Sequence, residues 1–497
     1  MKKIIFPAVV TLLAGAIYYY MFLPPINIHS GAFWSFAIML LGLFAGLCLL
    51  SSIKIDTDNT IYYGNGMQGG QFVLSGVGAK IATRLGIALG VLVVLLVLLQ
   101  FLSGPIINAK AYAALGNNII SDGDFDTDVP VVENGIVTDI AIMDTLTAQT
   151  LGSRQIGSLG TLATQYELGE FMTTTINGSI TKVATLGYGD FFKWFNSRSS
   201  GIPGYVTVDP VLGTSAYVEF DTPIVYSDTG YFMDNAYRQM RFAYPLAMFY
   251  NMHFEVDNAG NPYWVASVQK INIGLFGGST PNGVIVMDAV TGECVQYGTD
   301  EIPEWVSIAY PADDLIRLVN YAGEYSNGFL NSILAKKDVY LCTDDYGYKT
   351  VDGQLNSFTG VTSAASDQSN MAFVLCNEYT GQIIRYTIYG AEEYSAMTAA
   401  EGLVLDFGYE ASFPSICNVE GAPVYIMALT DAGNLIKKYA MVDLQDYTKV
   451  VIGDTVQETW ENFLVKYTDV SLTPEETLTP EEPEVQEKVA VEAYDIG

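Results

Sequence analysis

The sequence predicts an α+β protein in which three N-terminal transmembrane helices precede a mixed portion that lies outside the cytoplasm. Three observations support this fold class: apolar segments of membrane-spanning length near the start, short strand-like segments after them, and a hairpin pattern that occurs twice. The chain has 497 residues, with 54 Asp and Glu against 23 Lys and Arg, which gives a net charge of −31. Because nucleic-acid binding depends on clustered basic residues, this charge argues against a nucleic-acid partner.

The predicted membrane anchor covers residues 1–103. Three uncharged apolar segments lie at 4–23, 32–50 and 85–102, and each is long enough for a helix to cross a hydrocarbon layer about 30 Å thick. Helices are expected because the backbone must satisfy its own hydrogen bonds in lipid. The first segment also fits a cleavable signal peptide, but its length and the lack of a small-residue cleavage site favour a retained helix.

Basic residues indicate how the anchor is oriented. Lys2 and Lys3 precede the first apolar segment, and three further basic residues lie in the loop 51–84. The positive-inside rule then places the N-terminus and this loop in the cytoplasm, and the bulk of the chain outside the cell membrane. No charged residue interrupts an apolar segment, which argues against ion or proton transport.

The rest of the chain divides by composition into five predicted regions. They are a juxtamembrane stalk at 104–128, a β-rich domain at 129–225, two related units at 226–335 and 336–472, and a tail at 473–497. The tail holds eight acidic residues, one Lys and three Pro. Such a segment buries too little apolar surface to fold, so we expect it to be disordered.

An internal repeat underlies the two related units. Val284–Tyr297 and Phe373–Tyr386 align without a gap at an offset of 89 residues, and they share a Thr-Gly pair and the closing Tyr. Each reads as a strand, a turn with Gly at positive φ, and a returning strand. A weaker similarity pairs 260–265 with 421–426. Together the two similarities predict duplication of an α+β unit.

A family resemblance rests on the same residues. Pro262-Tyr-Trp-Val265, Val284–Asp288, Thr291-Gly292 and Tyr297 resemble PepSY-type domains over roughly 235–310, with a weaker copy around 370–445. This resemblance implies a small module with a helix on an antiparallel sheet, usually outside the membrane in bacteria.

Three short phrases widen the resemblance to larger proteins. They are Gly390–Glu393, Ala399–Gly402 and Lys438–Met441, and they are similar to phrases of large, poorly characterised membrane proteins of Gram-positive bacteria. The resemblance implies an architecture and a location, and no activity.

One acidic segment follows the ligand spacing of an EF-hand loop, at positions 1, 3, 5, 7 and 12. The acidic residues are Asp122, Asp124, Asp126, Asp128 and Glu133. Thr127 occupies the sixth position, where Gly makes the sharp turn, and Pro130 obstructs an exiting helix. We therefore expect a solvated acidic turn, with a calcium site as the alternative. No other metal site and no cofactor is expected.

The sequence predicts no catalytic residue. His253 is the one histidine beyond the anchor, and no GxSxG or HExxH motif accompanies it, so we expect a core or strand-edge histidine. Adjacent acids such as Glu392-Glu393 are expected on the surface of so acidic a chain. Whether the protein is an enzyme stays open, with a non-catalytic role favoured.

Four cysteines lie beyond the anchor, at Cys294, Cys342, Cys376 and Cys417. Each lies in a strand-like apolar run, which favours buried free thiols. Disulfides are the alternative, because an oxidising exterior permits them.

An aromatic cluster is the candidate binding surface. Its residues are Phe191, Phe192, Lys193, Trp194, Phe195 and Tyr205. Aromatic side chains suit recognition because they offer a large contact area with few rotatable bonds. The alternative is ordinary packing within a β-sheet core.

These observations favour a non-catalytic binding or scaffolding role at the bacterial cell envelope. The expected partners are the membrane and either another envelope protein or a second copy of the chain. Two alternatives stay open: an extracytoplasmic hydrolase or peptidase regulator, and a self-assembling structural protein of the envelope.

Overall fold

A computed structural model describes residues 2–63, 67–74, 77–125, 129 and 140–468. The predicted tail at 473–497 lies outside these residues. The same is true of three candidate calcium ligands, Asp126, Asp128 and Glu133.

Three helices are long and apolar enough to span a membrane: α1 (Lys2–Phe22), α2 (Gly31–Leu50) and α3 (Val77–Ser103). This confirms the three predicted helices. Helix α3 begins eight residues before the predicted residue 85 and includes Lys80 and Arg84. Long basic side chains near a helix end can reach the headgroup region, so these charges do not end the helix.

The connections between these helices determine which helix ends lie on the same side of the three-helix anchor. A short segment, 23–30, joins α1 to α2, so the end of α1 and the start of α2 lie together. The predicted loop 51–84 instead contains an antiparallel hairpin, β1 (Ile53–Tyr63) and β2 (Met67–Leu74), between α2 and α3. Helix α3 therefore ends at Ser103 on the side of segment 23–30, opposite the hairpin.

After α3 come α4 (Pro105–Asn117), β3 (Ile120–Asp122) and four sheet-containing units. Unit 1 (140–224) comprises α5 (Thr145–Gly157), α6 (Thr161–Gln165), β4 (Tyr166–Leu168), β5 (Met172–Ile176), β6 (Ser179–Tyr188), α7 (Phe191–Ser197), β7 (Ile202–Val208) and β8 (Ser215–Ile224). Unit 2 (225–297) comprises α8 (Ala236–Ala243), β9 (Phe249–Val256), β10 (Pro262–Ile273), β11 (Gly277–Asp288) and β12 (Cys294–Tyr297).

Units 3 and 4 repeat this order of helix before sheet. Unit 3 (309–386) comprises α9 (Ala312–Tyr325), α10 (Phe329–Ile333), β13 (Tyr340–Cys342), β14 (Gly347–Val351), β15 (Gln354–Ser363), β16 (Ser366–Asn377) and β17 (Ile383–Tyr386). Unit 4 (390–467) comprises β18 (Gly390–Ala391), α11 (Glu393–Gly402), β19 (Glu410–Ala411), β20 (Ser415–Val419), β21 (Ala422–Thr430), β22 (Ile436–Asp443), β23 (Val450–Gly453) and α12 (Val456–Tyr467).

Each unit contains an antiparallel meander of four consecutive strands: β5–β8, β9–β12, β14–β17 and β20–β23. The two segments aligned in the sequence occupy the last hairpin of units 2 and 3 with the same register. Val284 lies opposite Tyr297, and Phe373 lies opposite Tyr386. Gly292 and Gly381 take φ of +76° and +75° at the two turns, as the sequence predicts.

The same turn closes the last hairpin of all four units. It begins with an Asp or Asn whose Oδ1 accepts hydrogen bonds from the backbone N–H groups two and three residues later, at 2.8–3.0 Å. These residues are Asp209, Asp288, Asn377 and Asp443. Side chains of this type favour such turns because they bond to their own backbone locally. The sequence alignment detected two of these hairpins, and the described residues contain four.

A second shared contact ties each unit's first helix to its own sheet. The carbonyl of the residue after the turn Asp or Asn accepts from backbone N–H groups that precede the unit's first helix, at 2.8–3.1 Å. The pairs are Met143 to Pro210, Val225 and Tyr226 to Ala289, Ala309 and Tyr310 to Glu378, and Ala391 to Leu444.

Helix α9 shows where the predicted unit boundary is displaced. Its Leu315 and Val319 share a buried cluster with Val361 and Val374 of unit 3. The predicted boundary between 335 and 336 would assign this helix to the preceding unit. The boundary lies ahead of α9 instead, because each helix packs on the sheet that follows it.

The segment predicted as a stalk belongs to the folded portion. Helix α4 packs against α9 so closely at Gly116 that a Cβ there would lie 2.0 Å from the carbonyl oxygen of Leu318. Strand β3 then pairs in parallel with β17. Over 105–122 the predicted stalk is therefore packed on the units through the buried Ala109, Tyr112 and Gly116, whereas Ile106 and Ile107 are exposed.

Candidate functional site

The loop between α1 and α2 holds the folded portion at the membrane helices. Ile26 N donates to the carbonyl of Pro245 at 2.7 Å, and Asn27 Nδ2 donates to the carbonyl of Leu246 at 3.0 Å. Both acceptors lie between α8 and β9. Unit 2 is thereby attached to the chain that joins the first two helices.

A second attachment uses the turn between β10 and β11. His29 Nδ1 lies 2.8 Å from the carbonyl of Leu275, and because a carbonyl only accepts, this nitrogen carries the proton. Ser103 Oγ, at the end of α3, accepts from Leu275 N at 3.0 Å. Unit 2 is therefore hydrogen-bonded to the ends of two different membrane segments.

Helix α7 carries most of the aromatic cluster that the sequence predicts. Asp190 caps this helix, since its Oδ1 accepts from Lys193 N at 2.9 Å. Phe191, Phe192 and Phe195 are exposed, and Phe192 is the most exposed at 74%. The Lys193 ammonium lies 3.7 Å from the Glu167 carboxylate.

Trp194 and Tyr205, which the sequence predicts in the same exposed cluster, are buried instead. Trp194 lies on the inner face of α7, and its Nε1 donates to Asp234 Oδ2 at 3.1 Å. Tyr205 is on β7 and stacks with Phe220 inside the core, with ring centroids 5.1 Å apart. A seven-residue amphipathic helix cannot expose every aromatic ring, and alternation along a strand buries one face.

The structure adds three residues that sequence reasoning missed. Tyr231, Phe232 and Met233 are exposed, and the Tyr231 ring lies 5.2 Å from Phe191. We call the six residues the aromatic edge: Phe191, Phe192, Phe195, Tyr231, Phe232 and Met233. The run Tyr-Phe-Met is visible in the sequence, but only tertiary folding places it beside α7.

The aromatic edge lies next to the end of α1. Arg238 Nη1 donates to the carbonyl of Phe232, and its guanidinium lies 4.4 Å from the ring centroid of Tyr20. Phe242 lies 6.3 Å from the same ring. A cation–π contact therefore joins the edge to the membrane helix.

Of the candidate calcium ligands, Asp122 and Asp124 are within the described residues. The Asp122 carboxylate accepts from Arg385 Nε and Nη2 at 3.0 and 2.8 Å, so an arginine already neutralises it. Within the described ranges, no group of three or more His, Cys, Asp or Glu residues could hold a metal ion.

His253 contacts other residues of unit 2 through both ring nitrogens. Its Nδ1 lies 2.8 Å from the carbonyl of Asn251, and its Nε2 lies 2.7 Å from Glu255 Oε1. The Glu255 carboxylate also accepts from the backbone N–H groups of Ser307 and Ile308, at 2.8 and 3.1 Å. Since neither nitrogen is free, the geometry gives His253 a positioning role and not that of a general base.

The five cysteines are free thiols, as the sequence favours. Burial raises the pKa of Cys417 to about 12 and that of Cys294 to about 11. Because the thiolate is the reactive form, such environments give inert cysteines.

Glu393 is a buried acid at the junction of units 3 and 4, although the sequence suggests a surface residue. Its Oε2 accepts from Asn370 Nδ2 at 3.1 Å, and Asn370 also donates to the Tyr425 hydroxyl. Burial raises the pKa of Glu393 to about 7. The carboxyl can thus change its charge near neutral pH.

A cavity of about 390 Å³ lies between units 1, 3 and 4. Its walls include Met143, Tyr346, Phe413 and the buried Lys182. Lys182 Nζ donates to Thr173 Oγ1 at 2.9 Å, and burial lowers its pKa to about 8. The ammonium is therefore fixed in the wall by hydroxyl groups.

In comparisons with known proteins, no family model, no curated protein and no solved structure matches the chain.

Proposed function

We propose that this protein is a membrane-anchored, extracytoplasmic protein with a non-catalytic binding or scaffolding role at the bacterial cell envelope. The observation that carries the proposal is the aromatic edge, an exposed apolar surface fixed beside the end of α1. Contiguous exposed apolar patches mark interaction sites in soluble domains. Single scattered apolar residues do not.

Charge supports the proposed orientation. Lys2 and Lys3 begin α1, and Lys80 and Arg84 begin α3, so these charges lie opposite the folded portion. The chain after residue 103 carries 52 acidic against 18 basic residues. The positive-inside rule then favours an exterior location for the units.

We also propose that all four units are copies of one PepSY-like module. The shared turn, the shared carbonyl contact and the common order of helix before meander support this. The resemblance noted at 235–310, with its weaker copy around 370–445, would then extend to unit 1 as well.

The contacts of the reactive groups favour binding over catalysis. Both nitrogens of His253 are engaged, and burial raises the pKa of Cys294 and Cys417. The role of the aromatic edge is then recognition, through aromatic anchors that lose little rotamer entropy.

Photo-cross-linking in intact cells tests this role. A benzophenone amino acid replaces Phe192, and the matched control replaces Leu212, which is 73% exposed in the same unit. We expect a specific adduct at position 192 and none at 212. Equal adduct yields at the two positions would contradict a binding role for the aromatic edge. Hydrolase activity of the purified full chain would overturn the non-catalytic part of the proposal.

A further inference from the structure

A second exposed apolar surface lies beside the end of α3. Helix α10 and the residue after it expose Leu330, Ile333 and Leu334, and the start of α4 exposes Ile106 and Ile107. We call these five residues the apolar edge. No motif in the sequence singled them out.

Packing holds the apolar edge close to α3. Phe329 of α10 packs on a buried cluster that includes Ala109 and Tyr112 of α4, and the Tyr112 hydroxyl donates to the Ser103 carbonyl at 2.9 Å. Ala109 is only six residues beyond Ser103, so α4 places this cluster near the end of α3. The apolar edge is therefore packed onto the helix that directly follows α3.

Both edges combine apolar side chains with basic ones. Lys336 and Lys337 follow Leu334 and are exposed, and Lys110 is exposed on α4. Beside the aromatic edge, the Arg198 guanidinium lies 5.0 Å from the ring centroid of Phe195. These cations stand out in a portion of the chain that is otherwise strongly acidic.

We propose that the aromatic edge and the apolar edge both insert into the headgroup region of the same membrane leaflet, so that the folded portion rests on an anionic lipid surface. This rests on the proposed function and names the partner of the aromatic edge. Aromatic rings, aliphatic side chains and Lys or Arg together are the composition of interfacial membrane segments. Basic residues near the surface are attracted by anionic headgroups.

Continuity with the membrane helices argues for lipid over a protein partner. The aromatic edge is joined to α1 through Arg238 and Tyr20, and the apolar edge is joined to α3 through α4. The contacts at the ends of α1 and α3, together with the helices themselves, hold the folded portion against the membrane surface. An amphipathic protein surface in that position meets lipid before any other partner.

Quenching by spin-labelled lipid tests the inference on the full chain. The chain is reconstituted in nanodiscs of phosphatidylcholine and phosphatidylglycerol that carry a nitroxide near the headgroup. A fluorophore is attached to the introduced cysteine of the variants Phe192→Cys and Leu334→Cys, in a Cys294→Ser background. The other native cysteines are buried and are not labelled.

The matched control is Leu405→Cys, since Leu405 is 79% exposed and Leu334 is 78% exposed. We expect several-fold stronger quenching at positions 192 and 334 than at 405. Equal quenching at the three positions would overturn the inference. All four substituted side chains are exposed or half-buried, and gel filtration verifies that each variant is folded.

The two proposals fail in different ways. A protein adduct at position 192 in cells, without lipid quenching there, would overturn the lipid inference and leave the binding role intact. If position 192 gives neither a protein adduct nor lipid quenching, both proposals are overturned. The inference requires both edges to contact lipid. It would therefore also be overturned if position 192 were quenched but position 334 were quenched no more than the control position 405.

Discussion

Ionisation of Glu393 should weaken the junction between units 3 and 4. The carboxyl lies at the first turn of α11, bonded to Asn370 of β16, while the Tyr425 hydroxyl of β21 donates to the Ala391 carbonyl at 2.9 Å. None of the ion pairs in the described part of the chain includes Glu393. Burial therefore opposes the charged form without a compensating cation.

The sign and size of the effect follow from the pKa. Burial raises the pKa of Glu393 from 4.5 to about 7, so between these values the folded state holds a proton that the unfolded state has released. The contribution of Glu393 to the free energy of unfolding is therefore greatest below pH 4.5 and falls as the pH rises through 7. A shift of this size corresponds to a loss of about 3 kcal/mol.

The variant Glu393→Gln removes the ionisation and keeps the size of the side chain. We expect it to be more stable than the native chain at pH 8 by up to about 3 kcal/mol, with little difference at pH 4. Thermal unfolding of the full chain in detergent, followed by intrinsic fluorescence, measures both. The matched control Glu410→Gln changes an exposed acid of the same unit and should show no such dependence.

Comparing the native chain with Glu393→Gln isolates the effect of this carboxyl, because the other titratable groups are the same in both proteins. A stability difference between Glu393→Gln and the native chain that is the same at pH 4 and pH 8 would refute the reasoning. Hydrogen exchange at the Ala391 amide, which donates to the Leu444 carbonyl, should report faster local opening at pH 8 in the native chain alone.

Two further predictions concern the turns and the links between units. Gly292→Ala places a Cβ 2.6 Å from the Tyr226 ring at φ of +76° and should cost about 1–3 kcal/mol in thermal unfolding. Gly298→Ala, in open space, should be nearly neutral, and equal effects of the two would contradict the assigned strain. His253→Leu leaves the buried Glu255 carboxylate without its ring partner and should cost about 3 kcal/mol in urea unfolding. An unchanged midpoint would show that the pair contributes no net stability.

Local patterns in the sequence were sufficient for the anchor and for part of the fold. A spanning helix is a run of about 20 apolar residues, so α1, α2 and α3 could be predicted from hydropathy alone. The Thr-Gly turns at 291–292 and 380–381 identified two hairpins, because a positive φ demands glycine there. The other two hairpins use the same Asp-initiated turn at Asp209 and Asp443, but a sequence alignment centred on Thr-Gly does not detect it.

The burial of individual side chains required the tertiary structure. Glu392 and Glu393 are adjacent glutamates that the sequence does not distinguish. At the start of α11, however, the side chain of Glu393 is buried in the junction of units 3 and 4. Phe192 and Trp194 are two residues apart on α7, and the packing of that helix exposes one and buries the other.

The sequence by itself thus determined the membrane helices, the acidic character of the folded portion and the repeated hairpin, because each depends on neighbouring residues. Tertiary structure alone decided that Phe191–Phe195 meets Tyr231–Met233, and that α10 rests on α4 beside the end of α3. Both edges are made of segments far apart in the chain. Their meeting depends on how whole sheets pack, and no local period or propensity encodes that.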